Sequence, residues 1–367
     1  MQRRDFLKYS VAGLAAVSLP GFLSQACKKQ ADRYSVVILG DTHYDAPDPL
    51  RYHKGYSDPN PAREASHREE FTRNGEMWSG RCQSLVRRAA CLVDDDTRFV
   101  FQMGDLIQGD TADEATHRLF LDDTVNLLKN AIAPSLPFIT VAGNHDVRGN
   151  DDDVCYAAYK DYMAGRMSKE LGKEITDINF IFRSGPDAFV VIDFNRPDVK
   201  KIKSLLEEAR GARYVFVIVH GPVFPVDDDN FYFWYLLGSR HDSHAAERRE
   251  IRALLASLNA IVLCGHTHTT EFLDWRGDGG RITQMTMNSV WDDEAKGSYQ
   301  IKASGAEEYG NAAGKALFDE YRPGISSYSL ADSAGSYKLI VDDSGVVVEY
   351  YAGHSPRLSH KFVLRTK

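Results

Sequence analysis

The chain has 367 residues, a mass of 41.1 kDa and a formal net charge of −8. Hydrophobic residues make up 43% and charged residues 26% of the sequence, which is typical of a globular protein and excludes a disordered or collagen-like chain. Because the charge balance is acidic, the sequence lacks the excess of positive charge that marks a dedicated nucleic-acid binder.

The first 26 residues are predicted to be an export signal. Arg3 and Arg4 precede Lys8, and a weakly apolar stretch follows over residues 11–23, too short and too interrupted for a membrane span of about 20 apolar residues. The order of these residues resembles a twin-arginine export signal. We therefore expect an exported protein, either periplasmic or membrane-anchored in a bacterial envelope.

Two ways of processing this segment remain open. Residues 24–26 read as a small-x-small cleavage site, whereas Cys27 resembles the lipidated cysteine of a bacterial lipoprotein. The lipoprotein pattern has an aliphatic residue three positions before the cysteine, where this chain has Ser24. A lipid anchor at Cys27 is therefore one of two alternatives, and residues 27–33 are expected to form a short linker.

Cysteine is too sparse in this sequence to indicate a disulfide framework. The chain has five cysteines, few for an exported protein of this size. Cys82 and Cys91 fall on a predicted helix, and nine residues at about 100° each place them on opposite faces. We expect unbridged, buried thiols.

From residue 34 onward, short apolar runs alternate with segments of helical period, which is typical of an α/β layer fold. β-Branched runs predict buried strands at residues 36–39, 99–101, 138–141, 215–219 and 261–264. Near the C-terminus, residues 337–351 predict a β-hairpin that extends or borders a second sheet. The predicted architecture is one α/β domain over residues 34–367, built from two packed mixed β-sheets flanked by helices, with insertions near residues 45–80, 222–245 and 292–330.

Potential metal ligands follow all five predicted strands. The segments are Gly40-Asp41-Thr42-His43, Gly104-Asp105, Gly143-Asn144-His145-Asp146, His220-Gly221-Pro222 and Gly265-His266-Thr267-His268. Because ligands gather at the carboxyl ends of strands in open α/β sheets, we expect these side chains to converge. Carboxylate, amide and imidazole donors suit divalent Mn, Fe or Zn. They outnumber the ligands of one ion, which indicates two divalent metal ions.

The ordered set of motifs resembles the calcineurin-like metallophosphoesterase family over residues 36–268. The resemblance implies that His145 lies beside the reacting phosphate and that Asp146 orients it. It also implies a set of metal ligands: Asp41, His43 and His268 on one ion, Asn144, His220 and His266 on the other, and Asp105 on both. We expect a dinuclear metal-dependent phosphoesterase in which hydroxide held between the ions attacks phosphorus, with no covalent enzyme intermediate.

One motif departs from the common form of the family. Gln108 stands where many members have Asp, a residue that supports the site rather than binding metal. The change leaves the metal ligands intact but alters their surroundings. The missing Asp-Arg-Gly ending also argues against the protein Ser/Thr phosphatase branch.

The substrate depends on segments between the motifs. Residues 45–74 carry several aromatic side chains, and residues 231–235 are aromatic throughout. The second cluster is either an apolar wall for a large leaving group, which favours phosphodiesters, or a packed loop. A phosphomonoesterase acting on nucleotides or sugar phosphates is the alternative. It needs extra positive charge, for which the sequence offers Arg51, Arg63, Arg148 and Arg240.

A different class of function is also open. A non-catalytic, metal-stabilised binding protein of the envelope could retain the same ligands, although such a protein commonly loses one of them. Further histidines have no motif around them and are interpreted as surface or core residues: His53, His67, His117, His241, His244, His354 and His360.

Overall fold

The computed structural model describes residues 33–224, 235–238, 243–290, 320–331 and 333–367. The predicted export signal, Cys27, most of the linker, and most of the insertions near 222–245 and 292–330 lie outside these residues. Residues Asp32–Lys367 cluster as one compact unit. None of the helices among the described residues is long and apolar enough to cross a membrane.

Thirteen strands and seven α-helices lie in the described residues. The strands are β1 (Tyr34–Leu39), β2 (Thr97–Gln102), β3 (Phe138–Thr140), β4 (Phe180–Ser184), β5 (Asp187–Ile192), β6 (Val215–Val219), β7 (Ile261–Cys264), β8 (Thr270–Gly277), β9 (Gly280–Thr286), β10 (Ile325–Ala331), β11 (Gly335–Asp342), β12 (Gly345–Ala352) and β13 (His360–Thr366). The helices are α1 (Leu50–His53), α2 (Pro61–Ser79), α3 (Arg81–Ala90), α4 (Glu114–Ile132), α5 (Asp152–Leu171), α6 (Val199–Glu208) and α7 (Ala245–Ser257).

The strands form two mixed sheets. One has the order β13-β12-β11-β1-β2-β3 and the other β10-β8-β9-β7-β6-β5-β4. In the first, β1, β2 and β3 are parallel neighbours, and in the second, β5, β6 and β7 are. The predicted fold of two mixed sheets flanked by helices is confirmed.

The C-terminal hairpin is present, but the sheet predicted for it was wrong. β11 pairs with β1 in antiparallel register, with Tyr34 opposite Val341, so the hairpin completes the first sheet rather than bordering a second one. The physical reason lies in β1, which is buried along its whole length. A buried strand needs hydrogen-bond partners on both edges, and β2 satisfies only one of them.

Alternation along the strands divides the apolar residues between two cores. On β5, Phe189 and Val191 face the first sheet, whereas Val190 and Ile192 pack in a second core with residues of α6 and α7. Phe189 stacks on the ring of Phe216 at 4.6 Å between centroids. The two-sided burial explains why these strands are continuous apolar runs.

Cys82 and Cys91 are both unbridged as predicted, but the predicted burial is correct for Cys82 and wrong for Cys91. Cys82 is buried and unbridged, as expected, but Cys91 is exposed. α3 ends at Ala90 and Cys91 is its C-cap, so the residue lies beyond the buried stripe of the helix.

The first insertion forms α1 and α2, and α2 is anchored beside the loop that follows β1. The helix begins at Pro61, after Asn60, whose side chain accepts hydrogen bonds from the first turn. Near its end, Trp78 Nε1 donates to the carbonyl of Thr42 at 2.8 Å. A Cβ on Gly75 would lie 2.3 Å from the Ala46 carbonyl oxygen, so only glycine permits this approach. These contacts hold one face of α2 against the candidate site.

Candidate metal centre

The motif loops of the two sheets meet at one place. β1, β2 and β3 lead into them from the first sheet, and β6 and β7 from the second. Three groups of residues with potential ligand atoms lie there, and within each group the ligand atoms are no more than 4.8 Å apart. The groups are Asp41, His43 and His268; Asp105, His220 and His266; and His43, Asp105 and His145.

The first group is built from the loops after β1 and β7. Nε2 of His268 lies 3.2 Å from Oδ2 of Asp41 and 3.0 Å from Nε2 of His43. Asp41 and His43 are buried, and His268 is half-buried. Two ring nitrogens and a carboxylate oxygen therefore point at one small volume.

The second group takes its carboxylate from the loop after β2. Nε2 of His220 lies 3.1 Å from Oδ2 of Asp105 and 3.1 Å from Nδ1 of His266. The same Asp105 oxygen lies 3.7 Å from Nε2 of His43. Oδ2 of Asp105 is therefore close to a histidine of each group.

Asn144 lies at the same pocket and offers an oxygen donor. Its Oδ1 is buried and has no hydrogen-bond partner among the residues that the structure describes. An unpaired buried amide oxygen is unfavourable unless another group satisfies it. Carboxylate, imidazole and amide donors in this arrangement fit divalent ions such as Mn, Fe or Zn.

Hydrogen bonds to the backbone orient the donors. Nδ1 of His220 donates to the carbonyl of Met103 at 2.7 Å, which leaves Nε2 as the nitrogen directed at Asp105. The backbone N–H of His266 donates to both oxygens of Asp41, at 3.1 and 3.0 Å.

Four candidate ligands have left-handed backbone conformations. The φ values are 38° for His43, 49° for Asp105, 77° for His266 and 53° for His268. Such conformations cost on the order of 1–3 kcal/mol each in non-glycine residues and persist only where the surroundings impose them. Strained residues of this kind cluster at active sites and ligand-binding loops.

Glycine permits the close approach of the loops. A Cβ on Gly143 would lie 2.0 Å from the backbone nitrogen of Asp105, and one on Gly265 would lie 2.3 Å from Oδ1 of Asp41. Both contacts are below any real Cβ distance, so these two glycines allow the ligand-bearing loops to touch.

Burial and charge set the protonation of the ligands. Burial lowers the pKa of His43 to about 4 and that of His266 to about 3, so both rings are neutral at pH 7. Burial raises the pKa of Asp105, but the positive charge of His220 outweighs this and holds it well below its usual value. Burial by itself would lower the pKa of His220, but the negative charges of Asp105 and Asp41 outweigh burial and raise this pKa to about 9. The two carboxylates thus stabilise a positive charge on His220.

His145 lies beside the two groups in the 3₁₀ turn after β3. Its backbone N–H donates to Oδ1 of Asp105 at 2.8 Å, and its Nδ1 donates to the carbonyl of Gln108 at 3.1 Å. The His145 ring is 4.5 Å from the His43 ring, edge to face. Burial lowers the pKa of His145 well below its usual value. With Nδ1 engaged, Nε2 is the nitrogen available for chemistry.

The role predicted for Asp146 was wrong. Its carboxylate accepts hydrogen bonds from the backbone N–H of Gly143 at 2.9 Å and of Ile107 at 3.1 Å, not from the ring of His145. Neighbouring residues in a tight turn point in different directions, and Asp146 points into the protein, where burial raises its pKa to about 7. It braces the loops, and the Gln108 carbonyl orients His145.

A pocket of about 250 Å³ opens over the candidate ligands. Its described lining residues are His43, Glu70, Arg73, Asn74, Asp105, Gln108, Asn144, His145, His266 and His268. Sequence reasoning did not single out Glu70, Arg73 and Asn74. Their spacing on α2 places them on one helix face, a signal that becomes meaningful only because the insertion packs against the site.

The substrate features predicted from sequence are only partly visible. Residues 231–234 and Arg240 lie outside the described residues, and Tyr235 is packed in the second core instead of lining the pocket. The other predicted arginines are held in ion pairs: Arg51 with Asp123, Arg63 with Asp58, and Arg148 with Asp110 and with Glu70 of the pocket lining.

Three of the histidines interpreted as surface or core residues are buried and contact polar groups of neighbouring loops. Nε2 of His53 lies 2.8 Å from Asp45, Nδ1 of His67 lies 3.2 Å from Asp110, and Nε2 of His117 donates to the Asp146 carbonyl at 2.9 Å. His244 is half-buried and His354 and His360 are exposed, while His241 lies outside the described residues.

Comparisons with solved structures give distant similarities. The structure described as "GAP50 the anchor in the inner membrane complex of Plasmodium" is 14% identical, with a TM-score of 0.48, 91% of this chain and 89% of that chain being covered. The structure of PhoD is 13% identical, with a TM-score of 0.51, and the match covers 90% of this chain and 68% of that chain. The 5'-nucleotidase precursor from Thermus thermophilus is 10% identical, with a TM-score of 0.36, and the match covers 82% of this chain and 54% of that chain. Of these, the likeness to PhoD supports the fold.

No protein of curated function matches the sequence significantly. A family model described as calcineurin-like phosphoesterase matches residues 34–270, well over half of the chain and all of the motif loops. The chain therefore belongs to the calcineurin-like phosphoesterase family.

Proposed function

We propose that the protein is a phosphoesterase that uses two divalent metal ions. The observation that carries this proposal is the meeting of two carboxylate and histidine groups on either side of Asp105, with Oδ2 of Asp105 3.1 Å from His220 and 3.7 Å from His43. One ion would be held by Asp41, His43 and His268, and the other by Asn144, His220 and His266. Asp105 would contact both.

Divalent ions bound at this place would neutralise the charge of a phosphate ester and lower the pKa of water. The chain contributes a dry, rigid frame, since Asp41, His220 and Asp105 are almost fully buried. His145 stands at the rim of the frame with Nδ1 bonded to the Gln108 carbonyl. Because burial lowers the pKa of this ring, its Nε2 is free to accept a proton from the attacking water and can then pass that proton to the leaving oxygen when the phosphorus–oxygen bond breaks.

We further propose that phosphodiesters are preferred over phosphomonoesters. A monoester carries up to two negative charges, whereas a diester carries one. Arg73 is the cationic side chain among the described lining residues, and the carboxylate of Glu70 shares the wall with it. This balance disfavours a dianion.

The preference is tested by comparing kcat/KM for bis(4-nitrophenyl) phosphate and 4-nitrophenyl phosphate with the metal-loaded protein. We expect the diester to be favoured by at least about tenfold, about 1.4 kcal/mol in transition-state binding. A preference of this size for the monoester would support the alternative, a phosphomonoesterase acting on nucleotides or sugar phosphates.

Export is a separate proposal that rests on residues 1–27. The arginine pair at Arg3 and Arg4 and the cysteine at Cys27 support a chain that is cut before Cys27 and stays in the cell envelope. Intact mass measurement of the protein from bacterial cells should give a chain that starts at Cys27, with added lipid mass if it is anchored. Recovery of the full-length chain in the cytoplasmic fraction would contradict export.

A further inference from the structure

We propose that Glu70 and Asn74, on α2, form a subsite that binds hydroxyl groups of the alcohol part of the ester. The inference rests on the proposed phosphoesterase function and deepens it, because it assigns a substrate class: phosphate esters of polyhydroxylated alcohols. Both residues line the pocket that holds His145. They are four residues apart on one helix, so their side chains are neighbours on one face.

Glu70 is held in place by one of its two oxygens. Its Oε2 accepts hydrogen bonds from Nη2 of Arg148 at 3.1 Å and from Nε2 of Gln108 at 2.9 Å. Arg148 in turn donates to Asp110 at 2.7 Å. Among the described residues no donor contacts the other oxygen, Oε1, so the fixed carboxylate keeps an acceptor for a ligand.

The amide of Gln108 transmits this orientation to Asn74. Because Nε2 of Gln108 donates to Glu70, its Oε1 must be the acceptor, and Nδ2 of Asn74 donates to it at 2.5 Å. Oδ1 of Asn74 is then left as an acceptor, and it is buried without a partner in the described part of the chain. Asn74 itself is only 2% exposed.

The chemistry of the wall selects its ligand. An anionic group would be repelled by Glu70, and an alkyl group would leave the acceptors unsatisfied, which is unfavourable for buried polar atoms. Hydroxyl groups donate to both. A site built to receive hydroxyl donors discriminates strongly against the analogue that lacks them.

The subsite keeps a constant position relative to the candidate ligands. α2 is anchored by the bond from Trp78 Nε1 to the Thr42 carbonyl, between Asp41 and His43. Gln108 links the subsite to His145. Its backbone carbonyl accepts a hydrogen bond from Nδ1 of His145, and its side-chain amide donates one to Glu70. An alcohol group on this wall would therefore lie next to the phosphate of the bound ester.

The test uses esters that differ only in two hydroxyl groups. With the metal-loaded protein, kcat/KM is measured for 2,3-dihydroxypropyl 4-nitrophenyl phosphate and for propyl 4-nitrophenyl phosphate. The same comparison is made for glycerol 1-phosphate and propyl phosphate, so that the result does not depend on the diester preference. We expect the hydroxylated ester to be favoured by about tenfold or more, the effect of one hydrogen bond to a charged group.

Glu70→Gln and Asn74→Leu should each bring this ratio to within about threefold of one. Glu69→Gln, on the exposed neighbour of Glu70, is the matched control and should keep the wild-type ratio. Circular dichroism and metal content verify that each variant is folded and loaded.

Each outcome decides a different statement. Equal hydrolysis of both esters by the wild-type protein, or a ratio unchanged in Glu70→Gln and Asn74→Leu, overturns the subsite and leaves the phosphoesterase function standing. If the aryl phosphates and the alkyl esters all resist the metal-loaded protein, the proposed function is wrong and the subsite inference falls with it.

Discussion

Replacing Asp105 by Asn is expected to remove at least one equivalent of bound metal and to lower kcat/KM by roughly a thousandfold. Asp105 stands between the two groups, with Oδ2 close to both His220 and His43. Asn has a similar shape but no negative charge, so it cannot offset the charge of two cations. Elemental analysis of the purified variant and steady-state hydrolysis of an aryl phosphate measure both effects.

The control is Asp95→Asn, which removes one carboxylate from an exposed loop residue. It should leave metal content and activity unchanged, showing that the loss in the Asp105 variant is not an effect of net charge. An Asp105→Asn protein that keeps two equivalents of metal and full activity would refute the shared position of Asp105.

Replacing His145 by Asn is expected to lower kcat by roughly 10² to 10⁴, the usual contribution of a positioned acid or base, while metal content stays at the wild-type level. The ring of His145 is oriented by the Gln108 carbonyl, and its Nε2 is the nitrogen left for proton transfer. Asn places no titratable atom there. Kinetics and elemental analysis of the same preparation separate the two quantities.

This variant also decides between an enzyme and a metal-stabilised binding protein. If the metal-loaded wild type turns over aryl phosphates and the variant does not, the site is chemical. If activity survives, His145 has no catalytic role. If metal is lost, His145 is a ligand, as its place in a group with His43 and Asp105 also permits. His354→Asn, at an exposed histidine, is the matched control and should behave as wild type.

Prediction of the strands succeeded where the pattern is local. β6 and β7 have the predicted bounds, Val215–Val219 and Ile261–Cys264, because buried parallel strands need continuous β-branched runs. The hairpin of β11 and β12 was also found from its turn. The sheet it joins was not, since pairing between residues as distant as Tyr34 and Val341 leaves no local mark.

The same limit explains the errors at the site. Asp146 was predicted to orient His145 because the two are adjacent, yet side-chain direction in a 3₁₀ turn depends on the loops packed around it. Glu70 and Asn74 belong to a polar helix in an insertion, and such a pattern is typical of a solvated surface. Their importance follows from the docking of α2 against the Thr42 loop.

By itself, the sequence determined the family, the two-sheet α/β fold and the identity of the residues that end the five strands, because ligand chemistry and strand periodicity are written in residue type and spacing. The tertiary structure alone decided which groups those residues form, that Asp105 lies between them, and that α2 closes one side of the pocket. The reason is geometric: the loops come from two different sheets, and only the packing of the sheets sets the distances between them.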